Sequence, residues 1–469
     1  MAKRKKIYER VSLTDLGDKG LSVGRDESGE VIIVEGGVPG DIARVLSKRK
    51  RKGVAHGQVL EILEESPHRC EPVCKHFYDC GGCKWQHLEY AAQLKYKNEV
   101  VLNAIKRIAG CNPETVGEAV PAAKTVFFRN KLEFTFSDKR WITISEANGG
   151  HAIQRGGALG FHRPGAFDKV VDIEECWLQP EPSNAIRNFV KDYALENGLS
   201  FFNLREQFGL LRNLLIRSGR GNELMVLLSF GENNKDQIEN LMAAIKIKFP
   251  EISSLFYVIN QKGNDTILDL PLVHYAGNPW LEENLGDLVF RLGPKSFFQT
   301  NPGQAEVLFE LALDFAEIDS NSLVYDLYCG IGSISLFAAL KAKRVIGIEV
   351  VPEAIQDAIQ NAALNKIENV EFIVSEVENI LDDLFFSRNG KPEVIIVDPP
   401  RAGLHPKVVE AINHSAVEKV VYISCNPSTQ ARDIGMMKEF YKLEKVRTVD
   451  MFPHTSHIET VALLKKLKR

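Results

Sequence analysis

Between residues 7 and 65, apolar and polar positions alternate in short runs, VSLTDLG, LSVGRD, EVIIVEG, DIARVLSK and VAHGQVLEIL, separated by Gly, Asp and Pro. A period of two marks half-buried strands, and five in so short a span predict a small barrel of the oligonucleotide-binding type. The segment SPHRCEPVCKHFYDCGGCKW then breaks the alternation and has no hydrophobic repeat of its own, so something other than a packed core must order it. From 88 to 110, Leu88, Ala91, Ala92, Val100, Val101, Ala104, Ile105 and Ile108 form an approximate helical stripe, a helix expected to pack on the catalytic part of the chain. Residues 121–285 place strand-like runs (FRNKLEFTFS, LLRNLLIRSG, ELMVLLSF, SLFYVINQ) around one clear helix near 183–197, an α+β pattern of antiparallel type. From about 286 the order becomes helix 303–317, LVYDLY, a helix from Ser333, RVIGIEV, PEAIQDAIQNAALN, VEFIV, PEVIIVDPP and KVVYISCN. Alternating βα units predict a doubly wound, mostly parallel sheet, with ligands at the carboxyl ends of its strands.

The expected fold is therefore multi-domain α/β, divided at 1–66, 67–285 and 286–469. A chain of 469 residues exceeds what one core supports. With 44% hydrophobic and 26% charged residues it has the composition of a soluble protein. No apolar run approaches the roughly 20 residues that span a bilayer, and the start, MAKRKKIYERV, lacks a signal peptide's apolar stretch, so a cytoplasmic location is expected. The overall charge of −4 is unevenly spread: residues 1–56 hold 13 Lys/Arg against 8 Asp/Glu, a net of +5 that leaves −9 for the rest. SKRKRKG at 47–53 reads either as a solvated loop or as a basic hairpin able to hold phosphate, which needs a local cation cluster and not a basic whole.

Three groups of residues carry chemistry. In YDLYCGIGSIS (325–335) a strand runs into Gly330 and Gly332, and Glu349 ends the next strand 17 residues beyond. Glycines there let a ligand approach the backbone, and the carboxylate is placed for ribose hydroxyls. Ser335 stands where a dinucleotide fingerprint has its third glycine, and no phosphate loop is evident. With Asp326 and the VDPP of Asp398, the site suits a nucleoside without pyrophosphate, as S-adenosylmethionine is. The second group is Cys74, Cys80 and Cys83, whose polar and glycine neighbours make a poor core and whose thiols suit a soft metal. A fourth ligand is Cys70, which would make a zinc knuckle, or the distant Cys176, which would tie two segments together as an iron–sulfur cluster does. Cys111 and Cys329 read as buried or incidental, and disulfides are not expected in a cytoplasmic chain.

The third group is YISCNPSTQ (422–430) with DMFPHTSHIET (450–460). Cys425 ends a strand at the same crevice as Glu349 and Asp398, and His454, His457 and Glu459 lie within reach in the last hairpin. Thiolate, carboxylate and methyl donor in one crevice suggest a particular reaction. C5 of uracil is too weak a nucleophile to take a methyl group directly. A thiolate added at C6 makes C5 nucleophilic, and a base must then remove the C5 proton so that the thiol can leave.

In combination, FFQTNP (297–302), DLYCGIGSIS, VDPPRAG (397–403), YISCNPSTQARD (422–433) and FPHTSHIE (452–459) resemble, in order and over nearly the whole chain, the RNA (uracil-5-)-methyltransferase family with an amino-terminal TRAM domain. The resemblance implies a TRAM barrel, a central iron–sulfur domain and a Rossmann-like methyltransferase domain dependent on S-adenosyl-L-methionine. It assigns Cys425 as nucleophile and Glu459 as proton-abstracting base. Its methyl-donor contacts fall on Gln299, Tyr328, Ser333, Glu349, Glu376 and Asp398, with Ser333 replacing an asparagine of some relatives. Members with this cysteine spacing carry a [4Fe–4S] cluster, here on Cys74, Cys80, Cys83 and Cys176, a pattern in which Cys70 has no place. The implied partner is RNA, with neither DNA nor membrane, and a monomeric chain. Members with TRAM domain and cluster mostly act on 23S ribosomal RNA; the alternative is the T-loop of transfer RNA. The 48–52 cluster would hold backbone phosphate while the target base leaves its stack. Arg401 is a contact to the RNA backbone or a local salt bridge, and Phe77, Tyr78 and Trp85 either stack on bases or shield the cluster. Two other readings are a radical methylthiolase, which would want a C-x3-C-x2-C triad, and a non-catalytic RNA-binding protein.

Overall fold

The computed structural model describes residues 6–17, 20–149, 156–415 and 417–468. Lys3, Arg4 and Lys5 of the basic amino-terminal stretch lie outside the described residues. The alternating runs form a closed barrel in the order Ile7–Leu16, Ser22–Asp26, Val31–Glu35, Val54–Glu64, Ile42–Arg51, which returns to the first strand. The inward positions Tyr8, Val11, Leu13, Ile32, Val34, Ala43, Val45 and Ala55 make its core. The basic run is the end of a hairpin whose turn residues, Lys52 (φ 49°) and Gly53 (φ 82°), both lie in the left-handed region that two-residue hairpins favour. Glutamates across the sheet neutralise part of it: Lys48 pairs with Glu35 at 2.9 Å and Lys50 with Glu30 at 2.8 Å.

Helix Tyr90–Ala104 follows the cysteine segment and continues through one wide turn, Ile105–Ala109, to Gly110 in the left-handed conformation. Val101, Ala104, Ile105 and Ala109 share a core with Ile434 and Met437 of helix Pro427–Met437. Ile108 departs from the predicted stripe at 49% exposure, and Gln93 and Lys97 are buried instead.

The central sheet has seven strands in the order Leu272–Gly277, Ser254–Ile259, Leu224–Phe230, Leu211–Ser218, Lys131–Ser137, Ala158–Arg163, Ala166–Asp172. All neighbours are antiparallel except Leu224–Phe230 with Ser254–Ile259. That parallel pair needs a crossover, supplied by helix Lys235–Lys248, which the sequence reading did not anticipate. Its Ile238, Leu241, Met242 and Ile245 join Ile186 and Val190 of helix Ser183–Glu196 over Phe134 and Phe136.

The third sheet runs Val370–Val374, Arg344–Glu349, Leu323–Leu327, Val394–Val397, Lys419–Ser424, Glu459–Lys466, Tyr441–Val449, Thr115–Val116. Its first five strands are parallel, and Glu459–Lys466 runs against them. The division expected at 285/286 falls inside a hairpin, Leu281–Leu285 with Leu288–Leu292. Both strands bury leucines beside Phe290, Leu308 and Phe309, so the core of this third part begins before 286.

Candidate active site

Five parallel strands deliver their carboxyl ends to one crevice. After Leu323–Leu327 the chain turns through Tyr328 (φ 69°), Gly330 and Gly332 into helix Ser333–Ala339. A Cβ on Gly332 would lie 2.9 Å from Phe372, at a φ of 82°, so this tight turn requires glycine. Glu349 is held by three backbone donors: Gly330 N–H at 3.2 Å, Val350 N–H at 2.8 Å and Val351 N–H at 3.0 Å. Ser335 acquires a reason, since its hydroxyl donates to Asp326 at 2.5 Å, leaving the other Asp326 oxygen buried without a partner among the described residues. Burial pushes the Asp326 and Asp398 carboxyls up to about 7. Tyr328, Ser333, Glu349 and Asp398 are half-buried at these strand ends, Glu376 is exposed at the end of the edge strand, and Gln299 is half-buried before helix Pro302–Ala316.

The sequence S-C-N-P ends one element and starts another. Asn426 N–H donates to Ser424 Oγ (3.0 Å), Asn426 Oδ1 caps the next helix through Ser428 N–H (3.1 Å), and Pro427 occupies the first turn, where it loses no bond. Cys425 thus stands half-buried between a strand end and a helix cap. Because Glu459–Lys466 is antiparallel, it begins where Lys419–Ser424 ends. Ser424 pairs with Thr460, so Cys425 and Glu459 are the next residues along the two chains, and the Glu459 carboxyl acts on the thiol. Glu459 is only 6% exposed. Burial, then the nearby Asp398, pushes its carboxyl well above the usual range, while Arg401 and Lys97 pull the other way. Burial, Glu459 and Asp398 likewise raise the Cys425 thiol, against Arg401.

The loop between Val449 and Glu459 is fixed from outside the methyltransferase sheet. Lys97 Nζ lies 2.6 Å from Asp450 Oδ1 and donates to the Phe452 carbonyl at 3.1 Å, with both charged side chains fully buried. Gln93 accepts from His454 N–H (2.9 Å) and bonds its ring (3.1 Å). The backbone N–H groups of Lys84 and Trp85 both reach the His454 carbonyl, at 2.7 and 3.0 Å. His457 instead faces Arg401, with Nδ1 3.2 Å from Nη2. Sequence reasoning missed Gln93 and Lys97; the one signal was a polar pair at i,i+4 on a helix with an imperfect apolar stripe.

Cys74, Cys80, Cys83 and Cys176 line one cavity together with Phe77, Gln86 and Phe161. Cys70 is exposed and bonds the Gln86 carbonyl at 3.4 Å. Among the described residues, no group of three or more His, Cys, Asp or Glu could hold a single metal ion. Two N–H groups already face the thiols: Gly82 N to Cys80 Sγ at 3.4 Å and Gln86 Nε2 to Cys83 Sγ at 3.3 Å. Trp85, 2% exposed, spends its indole N–H on the Gly20 carbonyl, and Phe77 is also buried; Tyr78 alone of the three aromatics is open, at 62%.

Comparison with known proteins gives two family matches: "tRNA (Uracil-5-)-methyltransferase" over residues 280–467 and "TRAM domain" over 7–60. An uncharacterized RNA methyltransferase of Bacteroides thetaiotaomicron is 47% identical over 437 residues, 92% of this chain and 96% of the relative. One of Porphyromonas gingivalis is 44% identical, covering 97% and 99% of the two chains. The crystal structure of Pyrococcus abyssi tRNA (uracil-54, C5)-methyltransferase, in complex with S-adenosyl-L-homocysteine, matches at a TM-score of 0.74 with 28% identity, over 97% of this chain and 100% of that one.

Proposed function

Because the chain belongs to the tRNA (uracil-5-)-methyltransferase family and carries a TRAM domain, we propose that it transfers a methyl group from S-adenosylmethionine to C5 of one uridine in 23S ribosomal RNA. The observation that carries the chemical reading is the Ser424–Thr460 pairing, which brings the adjoining Cys425 and Glu459 together beside the nucleoside crevice. Sγ of Cys425 adds to C6, and the C5–C6 π pair moves towards O4. C5 then takes the methyl group as the sulfonium S–CH3 bond breaks, leaving S-adenosylhomocysteine. Glu459 accepts the C5 proton, C5=C6 re-forms, and the C6–S bond returns its pair to Cys425. Glu349, with its oxygens already oriented by backbone donors, accepts the ribose hydroxyls; Gln299, Tyr328, Ser333, Glu376 and Asp398 contact the rest of the donor.

The transfer RNA reading is supported by the whole-length likeness to an archaeal enzyme named for uracil-54 of tRNA. That likeness removes overall layout as a guide to the RNA class. Mapping 5-methyluridine in both RNA pools of a strain lacking this gene separates the two. Loss at one 23S position with an intact T-loop is expected; loss at the T-loop alone would overturn the ribosomal assignment.

We read Cys74, Cys80, Cys83 and Cys176 as the ligands of a [4Fe–4S] cluster: the four cysteines line one cavity, and N–H groups of Gly82 and Gln86 face the Cys80 and Cys83 sulfurs. Bound there, it would staple residues 74–83 to Cys176, since methyl transfer consumes no electrons. Anaerobically purified protein is expected to be brown with about four irons per chain. One zinc per chain without iron would overturn this assignment.

A further inference from the structure

Within the uracil-5 reading, on which this rests, we propose that Arg401 is a catalytic residue: its guanidinium, aligned by His457, holds the Cys425 sulfur as the thiolate that adds to the pyrimidine. The sequence left Arg401 between an RNA backbone contact and a local salt bridge. Among the described residues it makes no ion pair with a carboxylate. Its Nη2 lies 3.2 Å from His457 Nδ1, and its charge is close enough to Cys425 to pull the thiol down against the two acids.

The backbone explains why the cation sits there. The Arg401 carbonyl accepts from Asn426 Nδ2 at 3.0 Å and from Thr429 Oγ1 at 3.3 Å, residues that flank the nucleophile in S-C-N-P-S-T. The loop after Asp398-Pro-Pro and the loop of Cys425 are therefore one rigid unit, fixed by main-chain contacts that do not use the guanidinium. A change of the side chain leaves that unit in place.

The electrostatics show what the side chain is for. Facing the sulfur are Glu459 across the strand pair, Asp398 from the neighbouring strand and Arg401; the two acids oppose a thiolate, and Arg401 is the one cation among them. Lys97 reaches Glu459 and His457 and is spent on Asp450. A guanidinium stays charged at any working pH and offers several donors in a plane, so one edge can serve sulfur while another is held. His457 suits that holding role because burial, Arg401 and Arg129 push its imidazole down to about 4, leaving Nδ1 a neutral acceptor. In the step itself the S–H bond breaks, the proton leaves to water and the electron pair stays on sulfur beside the cation. That pair forms the C6–S bond and returns to sulfur when product leaves.

The test uses the full-length protein without RNA. Alkylation of Cys425 by iodoacetamide is followed against pH by mass spectrometry of its peptide, with S-adenosylhomocysteine binding as the control for fold. In Arg401→Gln the alkylation rate at pH 8 is expected to fall about tenfold and the midpoint to move to higher pH, because the thiolate is the reacting form. Arg401→Lys should recover most of the rate, and His457→Ala should fall between. An unchanged alkylation profile in Arg401→Gln, with RNA affinity alone reduced, would overturn the proposal and give Arg401 to phosphate. Should the Gln variant fail to bind S-adenosylhomocysteine, the Lys and His457→Ala profiles decide by the same criterion. No uracil enters this measurement, so its failure is distinct from failure of the uracil-5 reading, which the mapping of 5-methyluridine tests.

Discussion

Cys425→Ala is expected to abolish transfer of labelled methyl to RNA, with turnover down by at least about a thousandfold, as loss of a covalent nucleophile does elsewhere. The reason is electronic. An unactivated uracil C5 has too little electron density to displace a methyl group from sulfonium, and Cys329, the cysteine of the turn after Leu323–Leu327, is buried where Cys425 is half-exposed. The fold should survive the change. Cys425 is half-buried, and the loop is set by Asn426, Ser424 and Pro427, not by its sulfur. Undiminished S-adenosylhomocysteine binding in the same preparation establishes that the loss is chemical. Wild-type turnover in the alanine protein would eliminate the covalent route and with it the role given to Arg401.

Much of this arrangement is legible in the chain because local rules and global fold agree. Period-two runs become the barrel, and S-C-N-P combines a strand stop, a helix cap and a first-turn proline in four letters. What escaped reading depends on partners far away in sequence. Lys97 looks like an exposed helical lysine until Asp450, 353 positions on, is seen beside it. The basic hairpin looks unopposed until Glu30 and Glu35, at the two ends of strand Val31–Glu35 across the barrel wall, are seen beside Lys50 and Lys48. Helix Lys235–Lys248 is a different case: Ile238, Leu241, Met242 and Ile245 carry the helical period openly, and the surrounding strand-like runs masked it. Ile108 was misplaced because the helix ends in a wide turn that breaks the 3.6-residue phase.

Glu459→Gln is expected to stop the reaction one step later, after methyl transfer. Glutamine keeps the shape of the side chain but cannot accept the C5 proton, so the C6–S bond cannot be expelled and the methylated RNA stays attached to Cys425. A slower-migrating protein–RNA band carrying the labelled methyl should build up on a denaturing gel, while free product forms about a hundredfold to ten-thousandfold more slowly, the usual weight of a lost general base. The strand pairing that ends at Ser424 and Thr460 brings Glu459 beside Cys425, which makes it the carboxylate expected to face the C5 side of a base bonded to that sulfur. The pH dependence has a definite sign. Burial and Asp398 raise the affinity of Glu459 for its proton, against Arg401 and Lys97, so the ionised, working form grows as pH rises through a range above that of an ordinary carboxylate. Wild-type release of product should therefore increase with pH through a midpoint above the ordinary carboxylate range, and the Gln variant should lose that limb while still forming adduct. Free methylated RNA at the wild-type rate, with no attached species, would remove Glu459 from the mechanism and leave Asp398, its neighbour in the crevice, as the group to test.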